Sequence, residues 1–203
     1  TGPVFEHTAL EKKSPLYLAA HEYEAVNWQW KNHLLEVEVA SAHHTDHKKY
    51  ILDLPGLYQT KNLLTVLSTC KLMREKGWKL EEADILYGLQ HSKKLSGLHG
   101  RWEIIHANPL LVLDVAHNAD GIRQLLQQVE LTEHKNLHFI LGMVSDKDVA
   151  KVLTLFPKTA TYYFTRANIP RAMAEEELQS IALHKAGLQG KTFSDVNNAI
   201  YSA

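Results

Sequence analysis

The sequence predicts an α/β protein, with an open, mostly parallel sheet in its second half and a small β-rich and helical block ahead of it. Three observations predict this. From Arg101 onward short apolar runs alternate with helix-like stretches, the rhythm of a parallel sheet with helical crossovers. Upstream, Leu34-Leu35-Glu36-Val37-Glu38-Val39 alternates with the period of two expected of a half-buried strand. Between them Ser92 to Gly100 is polar and carries Gly97 and Gly100, the composition of a linker.

The elements follow in order. Ser14-Pro15 breaks any helix, and Leu16 to Ala20 reads as a short apolar strand. Trp28 and Trp30 alternate with polar residues, as one face of a strand or loop covering the sheet. Leu34 to Ala40 is a strand, and Tyr50-Ile51-Leu52 its hairpin partner across the polar connection His43 to Lys49. From Gln59 to Lys76 the spacing of Leu63, Leu64, Val66, Leu67, Cys70, Leu72 and Met73 suits a buried amphipathic helix, stopped by Gly77. Glu81 to Gln90 reads as a second, short helix. In the second half, strands are expected at Trp102 to His106, Leu110 to Asp114, Leu137 to Met143, Thr161 to Thr165 and Lys191 to Phe193. Helices are expected at Asp120 to Glu130, Asp146 to Phe156, Ala174 to Ala186 and Asp195 to Ala203. Glu175-Glu176-Glu177 fits a solvated helix start, where acids oppose the dipole favourably.

Composition narrows the function. The chain has 203 residues, 45% hydrophobic and 22% charged, which is ordinary for a globular protein and excludes collagen-like and disordered classes. Its 22 Lys and Arg balance 23 Asp and Glu, leaving a net charge of −1 and no global electrostatic pull towards nucleic acid or an anionic membrane. Cys70 is the single cysteine, so no disulfide closes within the chain, which leans towards a reducing compartment; the cytoplasm is expected. No apolar run approaches the roughly 20 residues needed to span a bilayer. Thr1-Gly2-Pro3 has neither an initiator Met nor the look of a signal peptide, so the chain is expected to be a piece of a longer protein.

The chemistry is expected at a strand's carboxyl end, where open α/β sheets bind ligands. Asp114-Val115-Ala116-His117-Asn118 follows the apolar run Leu110 to Leu113 and precedes a helix. Asp114 can accept from a pair of ligand hydroxyls such as a ribose, His117 can donate to a phosphate or carboxylate, and Asn118 is a good helix N-cap. The alternative, weighted about equally, is that Asp114 and Asn118 only cap and hold the turn. Arg101 in Gly100-Arg101-Trp102-Glu103 stands at the domain junction, where a guanidinium can clamp phosphate; otherwise it pairs with Glu103 on the surface. Asn62, near the start of its helix, can read a base edge, although Gln59 and Asn62 also suit a plain polar helix start. His43, His44, Asp46 and His47 cluster on one hairpin-like turn without a cysteine, so no metal site is assigned there. There is no G-x-x-x-x-G-K-[ST] phosphate loop and no G-x-G-x-x-G after a strand.

Taken together, Leu54-Pro55-Gly56-Leu57-Tyr58-Gln59-Thr60-Lys61-Asn62, Leu98-His99-Gly100-Arg101-Trp102-Glu103 and Leu113-Asp114-Val115-Ala116-His117-Asn118 resemble the C-terminal half of folylpolyglutamate synthase/dihydrofolate synthase, in the Mur ligase superfamily. Ile169-Pro170-Arg171-Ala172, followed by Glu177-Leu178, is similar to the family's loop before a late helix. The resemblance implies a Rossmann-like C-terminal domain over residues 98–203, lacking its last strand, and over 1–97 the tail of the central ATP-binding domain without its phosphate loop. It implies a ligase that phosphorylates a carboxylate with ATP and magnesium to an acyl phosphate, which the amine of L-glutamate attacks; dihydropteroate or a folate would be the acceptor. Asn62 would then contact the adenine side of ATP, Arg101 its phosphates, and Asp114 would hold the ribose or orient the linker. His117 would face the nucleotide or the incoming glutamate. The phosphate loop and magnesium ligands would lie upstream of residue 1, so this chain alone would be an inactive fragment, and the enzyme a monomer. A peptidoglycan-type Mur ligase and a non-catalytic α/β binding module are the alternatives.

Overall fold

The computed structural model describes residues 2–42, 44–145 and 148–203, without the side chains of 44–46. The chain divides into two compact units, Thr1–Asp114 and Val115–Ala203. As expected, it is a mixed α/β protein with an antiparallel β-rich part and a parallel sheet.

The first unit opens with helix α1 (Gly2–Glu11) and the helical turn α2 (Ala19–Glu22). Three strands follow, β1 (Tyr23–Lys31), β2 (Leu34–Ser41) and β3 (His44–Leu52), in the antiparallel order β1-β2-β3. Asn32 and His33 turn β1 into β2 with φ of 51° and 62°, the left-handed pair that a two-residue hairpin requires. The period-two pattern of β2 does what it predicts: Leu35, Val37 and Val39 are buried, and Leu35 and Val37 face Leu52 and Tyr50 of β3 in register. Leu63 and Leu67 of α3 (Gln59–Glu75) and Ile85 and Leu89 of α4 (Glu82–Gln90) join the same core. Helical turn α5 (Ser92–Ser96) and the hairpin β4 (Glu103–Ala107) and β5 (Leu110–Leu113) complete the unit.

Several expectations are corrected here. Leu16 to Leu18 is exposed and irregular, and the chain then makes α2 rather than a strand; an apolar run without a partner strand does not become one. The polar stretch expected to connect the hairpin lies largely inside β3, where Lys48 pairs with Glu82 and Lys49 reaches Glu36 across the sheet at 3.4 Å. Part of the expected linker is helical, in α5. Among the described residues β4 and β5 do not enter the parallel sheet; they pair with each other, antiparallel. Two residues, Asn108 and Pro109, join them, and a parallel pair needs a crossover of roughly a dozen.

The second unit carries α6 (Ala119–Glu130), β6 (His138–Leu141), α7 (Val149–Leu153), β7 (Thr161–Thr165), α8 (Glu175–Ile181), a π-helical turn (Ala182–Ala186), β8 (Gly190–Phe193) and α9 (Val196–Ser202). Its sheet is parallel with β7 central. Tyr162, Tyr163, Phe164 and Thr165 are all buried in succession, as a strand covered on both faces must be. Phe164, Leu153, Leu178 and Leu188 are buried to within 1% exposure and centre a core that includes Ile122 of α6. The expected helix Ala174 to Ala186 is α8 plus the π turn, ended by Gly187 at φ 70°. Helix α7 is shorter than expected, and Asp146, where it was to begin, lies outside the described residues.

Candidate functional site

In the first unit, Tyr58, immediately before α3, donates its phenol hydrogen to Asp114 Oδ2 at 3.1 Å. The same oxygen accepts the Trp102 backbone N–H at 2.8 Å. Two residues earlier the Gly100 N–H donates to Glu103 Oε2 at 2.9 Å. Gly100 and Trp102 both have left-handed backbone, with φ of 72° and 53°. Glycine takes that conformation freely; for tryptophan it costs about 1–2 kcal/mol. The bond from its N–H to Asp114 and the burial of its ring, 7% exposed, offset that cost. Arg101 therefore sits between two left-handed residues, each tied to a carboxylate.

The electrostatics follow from this packing. Burial pushes the Tyr58 phenol up, the charge and hydrogen bond of Asp114 push it further, and the Arg101 charge partly opposes them. The Gly100 N–H, and then His99, hold the Glu103 carboxyl below its ordinary value. Glu103 takes His99 Nδ1 at 3.0 Å and Lys93 Nζ at 3.9 Å as further partners. Arg101 is half-buried, and its Nη1 donates to the neutral carbonyl of Gly100 at 3.2 Å rather than pairing with Glu103.

Asn62 lies one turn along α3 from Tyr58, exposed, with its Nδ2 donating to Oε1 of the buried Gln59 at 2.8 Å. The first unit thus joins Tyr58, Asp114 and the turn that carries Arg101, while Asn62 is bonded to Gln59, the neighbour of Tyr58 in sequence. His117 belongs to the second unit, exposed, its Nδ1 3.1 Å from the Val115 carbonyl oxygen. Asn118 caps α6, accepting from the Gly121 N–H at 2.8 Å. Asp114 does hold a turn, that of residues 100–102. It also ends a hairpin strand, which corrects the expectation of a parallel-sheet strand end at this point.

Sequence reading missed the part of Tyr58, which lies 56 positions from Asp114. The one available signal was its place beside Gln59 in the same motif. Glu175 corrects the solvated reading of its acidic run: it is 4% exposed, with Arg166 Nε 3.2 Å from Oε2, while Glu176 and Glu177 are exposed. A cleft of about 310 Å3 in the first unit is lined by residues including His33, Pro55, Lys93 and Ile104, but not Asn62, Arg101 or Asp114. Among the described residues no three His, Cys, Asp or Glu side chains gather as a metal cage. The side chains of His43, His44 and Asp46 lie outside the described residues. Among the described residues no helix is long and apolar enough to cross a membrane.

The family described as "Mur ligase, glutamate ligase domain" matches residues 100–203. A folylpolyglutamate synthase of Lacticaseibacillus casei is 32% identical over 139 residues, 67% of this chain and 31% of that protein. A UDP-N-acetylmuramoyl-L-alanyl-D-glutamate--2,6-diaminopimelate ligase of Helicobacter hepaticus is 29% identical over 98 residues, 48% of this chain and 19% of that one. Crystal structures of Mycobacterium tuberculosis folylpolyglutamate synthase with ADP and AMPPCP share the fold: the TM-score is 0.79 at 20% identity, over 99% of this chain and 45% of theirs. The chain spans about a third or less of the curated relatives it matches.

Proposed function

The chain belongs to the Mur ligase family through its glutamate ligase domain, and from that premise we propose that it is part of an ATP-dependent amide ligase that adds L-glutamate to a folate-type acceptor. ATP phosphorylates the acceptor's carboxylate to an acyl phosphate. The glutamate amine then attacks the acyl carbon, forming the amide and releasing phosphate. Arg101 neutralises charge on the nucleotide's phosphates, Asn62 reads the adenine side and Asp114 orients the turn that carries Arg101. His117 contacts the nucleotide or the incoming glutamate. Catalysis on this reading is positioning and charge neutralisation. Magnesium, which assists phosphoryl transfer, would be held by another part of the enzyme.

The observation that carries the reading is the Gly100–Arg101–Trp102 turn. An arginine that makes its contact to a neutral carbonyl, on a backbone tied at both ends by carboxylates, is preorganised for an incoming polyanion. The folate-type acceptor is preferred over a peptidoglycan precursor because the folate-type relative matches over the longer stretch of this chain.

The test is ADP release by the intact protein with ATP, magnesium and L-glutamate, with dihydropteroate, a reduced folate or a nucleotide-sugar peptide added separately. Release that needs both glutamate and a pteridine is expected. Release only with the nucleotide-sugar peptide would move the assignment to the peptidoglycan branch. Silence from folded protein in every arm would favour a non-catalytic module.

A further inference from the structure

We propose that Glu103 is a positioning residue of this site, holding the backbone turn that presents Arg101 to the nucleotide's phosphates; the proposal rests on the nucleotide reading above. Glu103 is drawn inward, with its side chain 13% exposed although it starts a strand at the unit's surface. One of its oxygens, Oε2, accepts the Gly100 N–H at 2.9 Å, closing a loop over Arg101 and Trp102. The His99 ring lies 3.0 Å from Oε1 and 3.1 Å from Oε2, and Lys93 Nζ is 3.9 Å from Oε1. Two basic side chains and a backbone donor thus converge on one carboxylate.

The consequence concerns Arg101. Were Glu103 to pair with the guanidinium, phosphate would have to break an ion pair before binding. Its charge goes instead to Gly100, His99 and Lys93, and the same bonds pin the left-handed Gly100 on one side of Arg101. Asp114 pins the left-handed Trp102 on the other. A turn fixed in advance spares Arg101 the ordering cost on binding. Removing the Glu103 carboxylate frees one end of the turn and exposes Arg101's backbone to other conformations.

The test is a double-mutant cycle on ADP affinity, measured by calorimetric titration of the intact protein. Glu103→Ala is expected to weaken ADP about tenfold. Glu103→Gln, which keeps an acceptor for the Gly100 N–H, is expected to stay within about threefold. On an Arg101→Ala background, Glu103→Ala should cost almost nothing more. Full additivity of the two substitutions, or a Gln variant as weak as Ala, would overturn the proposal. Should Glu103→Ala fail to fold, Glu103→Met, which keeps the side chain's length but removes both acceptor oxygens, takes its place in the cycle: additivity with Arg101→Ala overturns the proposal and a lost effect on that background supports it. An Arg101→Ala protein that binds ADP like the parent overturns the nucleotide reading itself, and that result is visible in the single variant.

Discussion

The turn at residues 100–102 and the loop at 115–118 carry the same kinds of ligand-seeking residue but are built differently. Around Arg101, a tyrosine hydroxyl from before the turn and two backbone N–H groups within it end on two carboxylates that follow it. Around His117 the described bonds are short-range: the ring beside the Val115 carbonyl, and Asn118 capping the helix that follows. The turn that carries Arg101 is held in part by contacts from distant sequence, and the loop that carries His117 by its immediate neighbours. Substitutions should therefore be felt very differently at the two places.

The sharpest break is Asp114→Ala. It strands the Tyr58 hydroxyl and the Trp102 N–H together, and should lower stability by about 2–4 kcal/mol in denaturant titration. A loss as small as that of an exposed residue would show that Asp114 does not hold the turn. Next comes alkaline pH. Tyr58 and Tyr50 have raised phenol pKa values, burial being the larger cause in both, and Tyr50 is pushed up to about 12. A tyrosine whose folded pKa lies above its unfolded value gives stability that is complete below the unfolded value near 10. That stability is lost as pH rises through the folded value. For Tyr50 the window is 10 to about 12, and its contribution is up to about 2 kcal/mol. Denaturant melts across that range should fall in midpoint, with Tyr50→Phe removing part of the slope. Asn118→Ala takes away one helix cap and should cost about 1 kcal/mol, read by the same melts. His117→Ala should change stability by less than about 0.5 kcal/mol, so any loss of ADP or glutamate affinity in that variant reports on ligand contact.

What the sequence revealed follows the same division between local and distant causes. β2, α3 and β7 were legible because their burial is written in local pattern: alternation in Leu34 to Val39, helical spacing from Leu63 to Met73, and an unbroken apolar run at Tyr162 to Phe164. β3 was only half legible, because its outer half is polar and is stabilised by cross-strand and helix partners such as Glu36 and Glu82. Leu16 to Leu18 has strand composition but no partner strand among the described residues. The hairpin of β4 and β5 was readable in principle, since its short connection forbids a parallel pairing, but the surrounding alternation of strand and helix outweighed that signal. Within the candidate site, Arg101, Asp114 and Asn62 could be named from motif alone. Tyr58's hold on Asp114 could not, because nothing local in Gly56-Leu57-Tyr58 announces a partner so far along the chain.

Amide hydrogen exchange of the intact protein, read residue by residue without ligand, tests the preorganised turn most directly. The account predicts that the Gly100 and Trp102 amides, each bonded to a carboxylate, exchange at least about a hundredfold more slowly than free peptide, with Val115 and His117 close to the free rate. Equal, fast exchange at all four positions would contradict it, because the turn that presents Arg101 would then be no more fixed than the loop that carries His117.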